Sequence, residues 1–311
     1  ITNFLDDIGA KTKLTKKNYL PLTIEGNHES IPLKHIILKP SAQIKTGLML
    51  AALNIRGKTT IVEKQSTRNH TEILFKFLKI KFTQKYYKNG SHAIILNGPY
   101  EIMSKNIYVA SDPSSAAFFI VGALIVPGSN ITLRGISLNK SRIEYINVLK
   151  KMGGKITIKK ESKLSGEVVG SINVMYSKLT GIKIKKELAP YLIDEYPILA
   201  IAASQATGRT SMLGLKELRF KESDRLKSIQ ENLESCGVIS SIKEDNLFID
   251  GILLNLKGGN IIDSFDDHRI AMSFSILNLV CKKKLNIKNE NCISISYPNF
   301  KEDLKKILRH A

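Results

Sequence analysis

The sequence contains little cysteine and no long apolar segment. Its 311 residues include three cysteines, and none of them lies in a Cys-X-X-Cys pair. So few cysteines, so widely spaced, exclude a disulfide framework or a cysteine-based zinc site and favour a reducing cytoplasm. The longest nearly unbroken apolar run, Ala116–Val126, is too short to span a bilayer. We therefore expect a cytoplasmic protein with no membrane partner and no signal peptide.

Acidic residues are scarce relative to basic ones. There are 28 Asp and Glu against 47 Lys and Arg, which gives a formal net charge of +19. Such a charge indicates an anionic partner: nucleic acid, an anionic membrane, or small phosphorylated or carboxylated molecules. A lysine-rich background from an AT-rich coding sequence explains it equally well, because 38 of the 47 basic residues are lysine. The lysines are spread along the chain rather than interleaved with aromatic residues, which argues against nucleic acid.

The length predicts about two domains, at roughly 150 residues per domain. The chain begins with Ile1, and Phe4, Leu5 and Ile8 follow at helical spacing before Gly9. That pattern is typical of the last turns of a helix whose start lies elsewhere. We therefore expect an N-terminally incomplete protein.

An internal repeat organises the chain. A small-residue helix, a glycine turn and a short β-rich run occur four times, with a more polar helix after each. The first helices begin near 41, 114, 195 and 267, and the second helices are predicted at 67–78, 141–152, 221–236 and 299–308. The stretch Thr2–Gly26 resembles the tail of one more unit. The first helices are apolar nearly all round and should be buried, whereas the second helices should lie on the surface.

The segment beginning at Ser111 is the predicted domain boundary. The domains are then residues 1–111 and 112–311. Two closed domains of three units each would need six units, and the chain supplies about four and a half. This again predicts missing N-terminal units.

Helix starts that lie on one side of a domain would attract anions, because each has unpaired N–H groups and a partial positive charge. Arg269 and Lys45 stand in first turns, where the helix dipole opposes a cation, so an anionic ligand is one explanation. An ion pair between Arg269 and Asp266 is the other. Lys221 and Arg225, four residues apart, would share a helix face around an anion, or else face solvent beside local carboxylates.

The chain resembles the 5-enolpyruvylshikimate-3-phosphate (EPSP) synthase family from about Thr2 to Tyr297. Six motifs in the family's order carry the resemblance: Ser41-Ala-Gln-Ile-Lys45, Thr67-Arg-Asn-His-Thr-Glu72, Asp112-Pro-Ser-Ser-Ala116, Asp194-Glu-Tyr-Pro197, Leu218-Arg-Phe-Lys-Glu-Ser-Asp-Arg225 and Asp267-His-Arg-Ile-Ala-Met272. The resemblance implies an α/β protein with the two-domain enolpyruvyl transferase fold, built of repeated βαβαββ-like units as an inside-out α/β barrel. It implies transfer of the enolpyruvyl group of phosphoenolpyruvate to the 5-hydroxyl of shikimate 3-phosphate, with release of phosphate. No metal or organic cofactor is implied, and the complete protein is expected to be a monomer.

The resemblance also implies roles for individual residues. Those implied to bind shikimate 3-phosphate are Ser41, Ala42, Gln43, Arg68, Asp194 and Lys221. Those implied to bind phosphoenolpyruvate are Gln43, Arg225 and Arg269. Asp194 is the implied proton acceptor from the hydroxyl, Glu222 serves proton transfer at the methylene carbon, and Lys221 completes the implied catalytic set.

The sequence departs from the family pattern in two ways. Asn69 stands where the family has Asp, and the family's N-terminal phosphate-binding and phosphoenolpyruvate-binding segments have no match. The Ser-Ala-Gln form and Ile295 resemble the glyphosate-tolerant subclass.

Three alternatives remain besides the enzyme. One is a truncated, noncatalytic relative that only binds anionic ligands or a partner chain. Another is a nucleic-acid binder. The third is a related enzyme acting on a UDP-sugar, against which the motifs around Lys221 and His268 argue.

Overall fold

A computed structural model of the chain describes residues 2–15, 20–253 and 256–308. Parts of the predicted 2–26 stretch and the outermost residues of both predicted domains lie outside these ranges. The chain forms two compact units. Unit 1 comprises Ile1–Val109 with Leu164–Glu167, and unit 2 comprises Ala110–Lys163 with Val168–Ala311.

Unit 1 is built around a four-stranded sheet. Its elements are α1 (Thr2–Asp7), β1 (Lys11–Leu14), β2 (Leu22–Glu25), β3 (Lys34–Ile37), α2 (Ala42–Ala52), β4 (Gly57–Glu63), α3 (His70–Phe77), β5 (Phe82–Tyr86) and β6 (His92–Gly98). The sheet has the order β3-β4-β6-β5, with β3 parallel to β4 and the other pairs antiparallel. β1 and β2 form a separate antiparallel pair after α1.

Unit 2 holds the longer series of elements. They are α4 (Pro113–Ile125), β7 (Asn130–Ser137), α5 (Glu144–Lys151), β8 (Lys155–Leu164), β9 (Glu167–Met175), β10 (Lys183–Ile184), α6 (Ala189–Leu192), α7 (Tyr196–Ser204), β11 (Thr207–Met212), α8 (Arg225–Ser235), β12 (Ile239–Lys243), β13 (Asn246–Ile252), β14 (Ile261–Asp263), α9 (His268–Leu277), β15 (Asn286–Lys288), α10 (Ile293–Ser296) and α11 (Phe300–Leu308). Its core is centred on α4, α7 and α9, which pack against one another.

The predicted βαβαββ repeat is confirmed by the topology. The sheet β10-β11-β13-β12 in unit 2 has the same order and strand directions as β3-β4-β6-β5 in unit 1. In the repeat between them, β7-β9-β8 forms the sheet and Ser111 makes a parallel bridge to Ile136 in place of the first strand. The turn glycines Gly57, Gly128 and Gly208 all have positive φ, which explains why glycine recurs there.

The predicted burial of the first helices is correct for α4 and α7 and wrong for α2. Every residue of α7 is buried, and so is nearly all of α4. The α2 helix buries one side against β4 and β6, whereas Leu50 on another side is 49% exposed. The reason is that the described part of unit 1 covers only one face of α2.

The second helices begin later than predicted. The largest difference is at α8, which begins at Arg225 instead of Lys221. Asp224 caps this helix by accepting the N–H of Lys227, while Lys221 is extended after a short 3₁₀ helix. No helix in the described part of the chain is long and apolar enough to cross a membrane.

Candidate active site

The starts of three helices of unit 2 are joined by contacts between charged residues. Arg225, the first residue of α8, bonds to Asp267, the N-cap of α9. Arg269, in the first turn of α9, donates through Nη1 to the main-chain oxygen of Asp194, just before α7, at 3.0 Å. The expectation that helix starts lie together is therefore confirmed in this unit, and it brings Asp194, Arg225 and Arg269 into one cluster.

The Arg225 guanidinium lies at the centre of this cluster and is 1% exposed. Its Nε donates to Oδ2 of Asp267 at 2.7 Å, and its Nη2 donates to Oε2 of Glu222 at 2.5 Å. Its Nη1 is 3.6 Å from Oδ1 of Asp194 and has no hydrogen-bond partner among the described residues. The buried cation is thus fixed from two sides and keeps a donor for a further anion.

Asp267 links the starts of α8 and α9. Its carboxylate is fully buried, accepts from Arg225, and caps α9 by accepting the N–H of Arg269 at 2.9 Å. Burial alone would raise the pKa of Asp267, but the hydrogen bond and charge of Arg225 hold it below its ordinary value. Asp267 therefore stays ionised at neutral pH and orients Arg225.

Arg269 does not form the ion pair with Asp266 that one reading of the sequence expected. Among the described residues its guanidinium bonds to the carbonyl of Asp194, while Asp266 is exposed in a left-handed turn at φ 57°. The alternative fails because the Arg269 guanidinium extends toward the start of α7, whereas Asp266 is exposed in the turn before α9. His268, in the same first turn, has its pKa lowered by burial and by the charge of Arg269.

A second polar network, which the sequence did not suggest, joins the starts of α4 and α7. Arg142 donates through Nη2 to Asp112 and to the Ser114 hydroxyl, both at 2.7 Å. Ser114 in turn donates to the Glu195 carboxylate. The only local signal was the small and acidic residues at helix starts, and nothing marked Arg142, about 30 residues away, as their partner.

Glu195 is the buried acid of that network. Its side chain is 1% exposed and lies next in sequence to Asp194. Burial raises the pKa of Glu195 above its ordinary value, and the neighbouring charge of Asp194 adds to the rise, although the charge of Arg269 opposes it. Two adjacent acids thus have different surroundings, since Asp194 is 18% exposed and faces Arg225.

Lys221 and Glu222 precede α8 instead of lying in it. The prediction that Lys221 shares a helix face with Arg225 is therefore wrong, because Asp224 starts the helix after them. Lys221 is exposed, and Glu222, half exposed, reaches back to Arg225. Of the two residues, the structure brings Glu222 into the cluster.

The residues of the first motif lie at the start of α2 in unit 1. Ser41 caps the helix by accepting the N–H of Ile44 at 3.3 Å, Ala42 is its first residue, and Gln43 is exposed. Arg68 lies just before α3 and is partly buried.

Lys45 has an internal explanation, contrary to the expectation of an anionic ligand. Its ammonium is 1% exposed and donates to Glu63 at 3.1 Å and to Glu72 at 2.8 Å. Glu63 also accepts from His92 and Thr67. The two buried carboxylates therefore neutralise the Lys45 ammonium and offset its unfavourable interaction with the helix dipole.

Glu63, Glu72 and His92 have ligand atoms within 4.8 Å of one another, a spacing that could hold a metal ion. The Lys45 ammonium already donates to both carboxylates. A cation is thus present among these acids, and the geometry gives no reason to place a metal there.

Comparison with known proteins decides the family. The family described as EPSP synthase (3-phosphoshikimate 1-carboxyvinyltransferase) matches residues 1–304. The chain belongs to the EPSP synthase family. The predicted resemblance is thereby confirmed.

Curated relatives carry the same description. The chain is 41% identical to 3-phosphoshikimate 1-carboxyvinyltransferase of Oceanobacillus iheyensis over 292 residues, 94% of this chain and 66% of that protein. It is 39% identical to the protein of that name from Methylobacterium radiotolerans over 283 residues, 90% of this chain and 63% of the relative. The chain therefore spans 63% to 66% of the length of these two EPSP synthase relatives.

Solved structures confirm the fold class. The structure of EPSP synthase from Acinetobacter baumannii matches 96% of this chain and 68% of its own, with a TM-score of 0.86 and 35% identity. The enolpyruvyl transferase NikO from Streptomyces tendae matches with a TM-score of 0.73 at 14% identity, which speaks for the fold alone. The chain has the α/β enolpyruvyl transferase fold.

Proposed function

We propose that this chain carries out its part of the EPSP synthase reaction: transfer of the enolpyruvyl group of phosphoenolpyruvate to the 5-hydroxyl of shikimate 3-phosphate. The observation that carries the proposal is the cluster around the buried Arg225, which gathers Asp194, Glu222 and Arg269 in a member of this family. Both substrates are anionic, so cations fixed beforehand would offset their mutual repulsion and hold them in place.

Arg225 and Arg269 bind phosphoenolpyruvate in this proposal, together with Gln43. The Nη1 group of Arg225 supports this role, because it has no hydrogen-bond partner among the described residues and would gain a hydrogen bond from an incoming carboxylate or phosphate. Arg269 is fixed by Asp194 and retains further guanidinium donors. Ser41, Ala42, Gln43, Arg68, Asp194 and Lys221 bind shikimate 3-phosphate.

Proton transfer falls to Asp194 and Glu222. Asp194 accepts the proton of the 5-hydroxyl as the oxygen bonds to the central carbon of phosphoenolpyruvate. The methylene carbon takes a proton from the Glu222 carboxyl and becomes a methyl group. The same carboxylate then takes a proton back as the carbon–oxygen bond to phosphate breaks, which restores the double bond and releases phosphate. Lys221 contacts the shikimate ligand during these steps.

Turnover assays test the proposal. The chain is incubated with both substrates, alone and together with the residues of the Oceanobacillus relative that lie outside the match, and phosphate release is followed. Asp194→Asn should lower the rate by roughly 10² or more, as expected for loss of a general base. Asp266→Asn, an exposed neighbour of the cluster, is the matched control. Equal rates for Asp194→Asn and the unaltered chain would overturn the assignment.

Three further features belong to the same proposal. We propose that the predicted domains, 1–111 and 112–311, are the two enolpyruvyl transferase domains, and that the complete protein acts as a cytoplasmic monomer. Ser41, Ala42, Gln43 and Ile295 support membership of the glyphosate-tolerant subclass. Inhibition of turnover at low glyphosate concentration would contradict that membership.

A further inference from the structure

The carboxylate of Glu63 joins three parts of unit 1. Glu63 is the last residue of β4 and is 1% exposed. Its Oε2 accepts from the Lys45 ammonium, on α2, at 3.1 Å and from the ring of His92, on β6, at 3.2 Å. Its Oε1 accepts from the Thr67 hydroxyl, in the segment that leads to α3, at 2.5 Å. Both carboxylate oxygens therefore have partners within unit 1.

This carboxylate is ionised at neutral pH. Burial alone would raise the pKa of Glu63, but hydrogen bonds from His92 and Thr67 and the charge of Lys45 hold it below its ordinary value. An ionised carboxylate can only accept hydrogen bonds, so the Thr67 hydroxyl must be the donor. Its bond to Glu63 is charge-assisted and therefore stronger than a bond between neutral groups.

The same network joins the starts of α2 and α3. Lys45 lies in the first turns of α2, and its main-chain N–H bonds to the oxygen of Ser41 at 3.1 Å. Its ammonium also donates to Glu72, in the first turn of α3, at 2.8 Å. The hydroxyls of Thr46 and Thr71 are 2.5 Å apart and form a second bond between these helices. The two helix starts are thus fixed to each other.

Arg68 belongs to the segment that Thr67 holds. Residues 64–69 lack regular secondary structure, and the Thr67 hydroxyl ties them to the end of β4. Arg68 follows Thr67 directly, so their α-carbons are about 3.8 Å apart. The network therefore fixes the main chain at Arg68 relative to the start of α2, where Ser41 lies.

We propose that Glu63 and Thr67 are positioning residues, which hold Arg68 in a fixed place relative to the start of α2 so that it can bind the phosphate of shikimate 3-phosphate. This inference rests on the proposed function, which assigns Arg68 and Ser41 to that substrate. A guanidinium fixed before the ligand arrives binds it more tightly, because less conformational entropy is lost on binding. Glu63 and Thr67 act through Arg68 and make no contact with the substrate in this proposal.

Calorimetric titration of shikimate 3-phosphate into the whole 311-residue chain tests the proposal. Thr67→Val keeps the shape of the side chain but removes the donor, and should weaken binding about tenfold. Thr67→Ser restores the hydroxyl and should recover most of the affinity. Thr59→Val is the matched control, because Thr59 is fully buried on β4 and its hydroxyl has no hydrogen-bond partner among the described residues. This control should change the affinity by less than about twofold.

A double-mutant cycle tests whether Thr67 acts through Arg68. In an Arg68→Gln background, Thr67→Val should weaken binding no further, because the group that Thr67 positions is gone. A residue that only stabilises the fold would keep its effect in that background. Without ligand, the NMR order parameter of the Arg68 amide should fall in Thr67→Val from about 0.85 to below about 0.6.

The failures of the inference and of the proposed function are distinguishable. Binding that Thr67→Val leaves unchanged, or weakens no more than Thr59→Val does, would overturn the inference alone. So would an additive loss in the Arg68→Gln background, a loss that Thr67→Ser does not recover, or an unchanged order parameter at Arg68. Absence of binding by the unaltered chain would instead overturn the proposed function, and the inference with it.

Discussion

The Asp267 carboxylate connects two helix starts to one cation. It is fully buried and bonds both to Arg225 and to the first turn of α9. Breaking a buried ion pair costs more than a surface pair contributes, because the remaining charge stays buried without its partner. Arg225 keeps Glu222 as a partner, but Glu222 is half exposed and cannot replace the contact.

Asp267→Asn should therefore lower the free energy of unfolding of the protein by roughly 3 kcal/mol at neutral pH. Urea unfolding followed by circular dichroism measures the loss. The control Asp266→Asn, at an exposed position with positive φ that asparagine tolerates, should cost less than about 0.5 kcal/mol. A similar cost for both variants would show that Asp267 does not stabilise Arg225.

The ion pair of Arg225 and Asp267 also predicts that the stability of the protein depends on pH. The pKa of Asp267 is lowered in the folded state, so its stabilising contribution is present above the ordinary carboxyl pKa. That contribution is lost as the pH falls through the lowered value. The stability difference between the unaltered chain and Asp267→Asn should thus shrink in acid. A difference that stays constant with pH would contradict this account.

Glu195 predicts a dependence of stability on pH with the opposite sign. Its pKa is raised in the folded state, so the folded protein holds this proton more tightly than the unfolded chain. Stability should therefore fall as the pH rises from the ordinary value toward the raised one. Glu195→Gln, which keeps an acceptor for Ser114, should gain stability relative to the unaltered chain as the pH rises above the ordinary glutamate pKa. The exposed Glu187→Gln, measured alongside, should show no such gain.

At the scale of secondary-structure elements, α11 is held to α4 by aromatic rings. Phe300 is fully buried and lies 6.0 Å from Phe118 and 5.7 Å from Phe119 between ring centroids. Tyr297 joins the same group at 5.7 Å from Phe300. The α11 helix is thus anchored to α4 mainly by its first residue, Phe300.

Phe300→Ala should reduce the free energy of unfolding by about 3–5 kcal/mol, because it leaves a cavity between α4 and α11. Phe220→Ala removes the same ring at a 71% exposed position and should change stability by less than about 0.5 kcal/mol. Chemical denaturation of both variants gives the comparison. Equal losses would mean that α11 is not anchored through Phe300.

At the scale of the whole molecule, the segment Glu101–Val109 lacks regular secondary structure and every one of its residues is exposed. It lies at the end of the first part of unit 1, before Ala110 begins unit 2. Lys105 is the only lysine or arginine between Pro99 and Ala110. Exposed extended segments are preferred sites of proteolysis.

Brief trypsin treatment should therefore cut after Lys105 while both packed cores resist. Mass spectrometry of the early fragments identifies the cut, and Lys105→Gln should remove it without changing the other products. Early cleavage after the buried Lys45 of α2 or the buried Arg225 of α8 would contradict the division into two packed units.

The sequence by itself determined the repeat, the order of helices and strands, and the family. These features depend on short-range signals: apolar periodicity, turn glycines at positive φ, and capping residues such as Ser41, Asp112 and Asp267 that bond within three residues. Six motifs that occur in the family's order along the chain then identified the family.

The tertiary structure decided which charges meet. Ser114 and Glu195 are 81 residues apart, Arg225 and Asp267 are 42 apart, and Lys45 reaches Glu72 across 27. No local pattern encodes such a pair, because its partners come together only when the helices pack. That is why the sequence pointed to Arg225 and Arg269 but misread Lys45 and missed Arg142: whether a buried cation faces a ligand or a carboxylate of its own chain is set by packing alone.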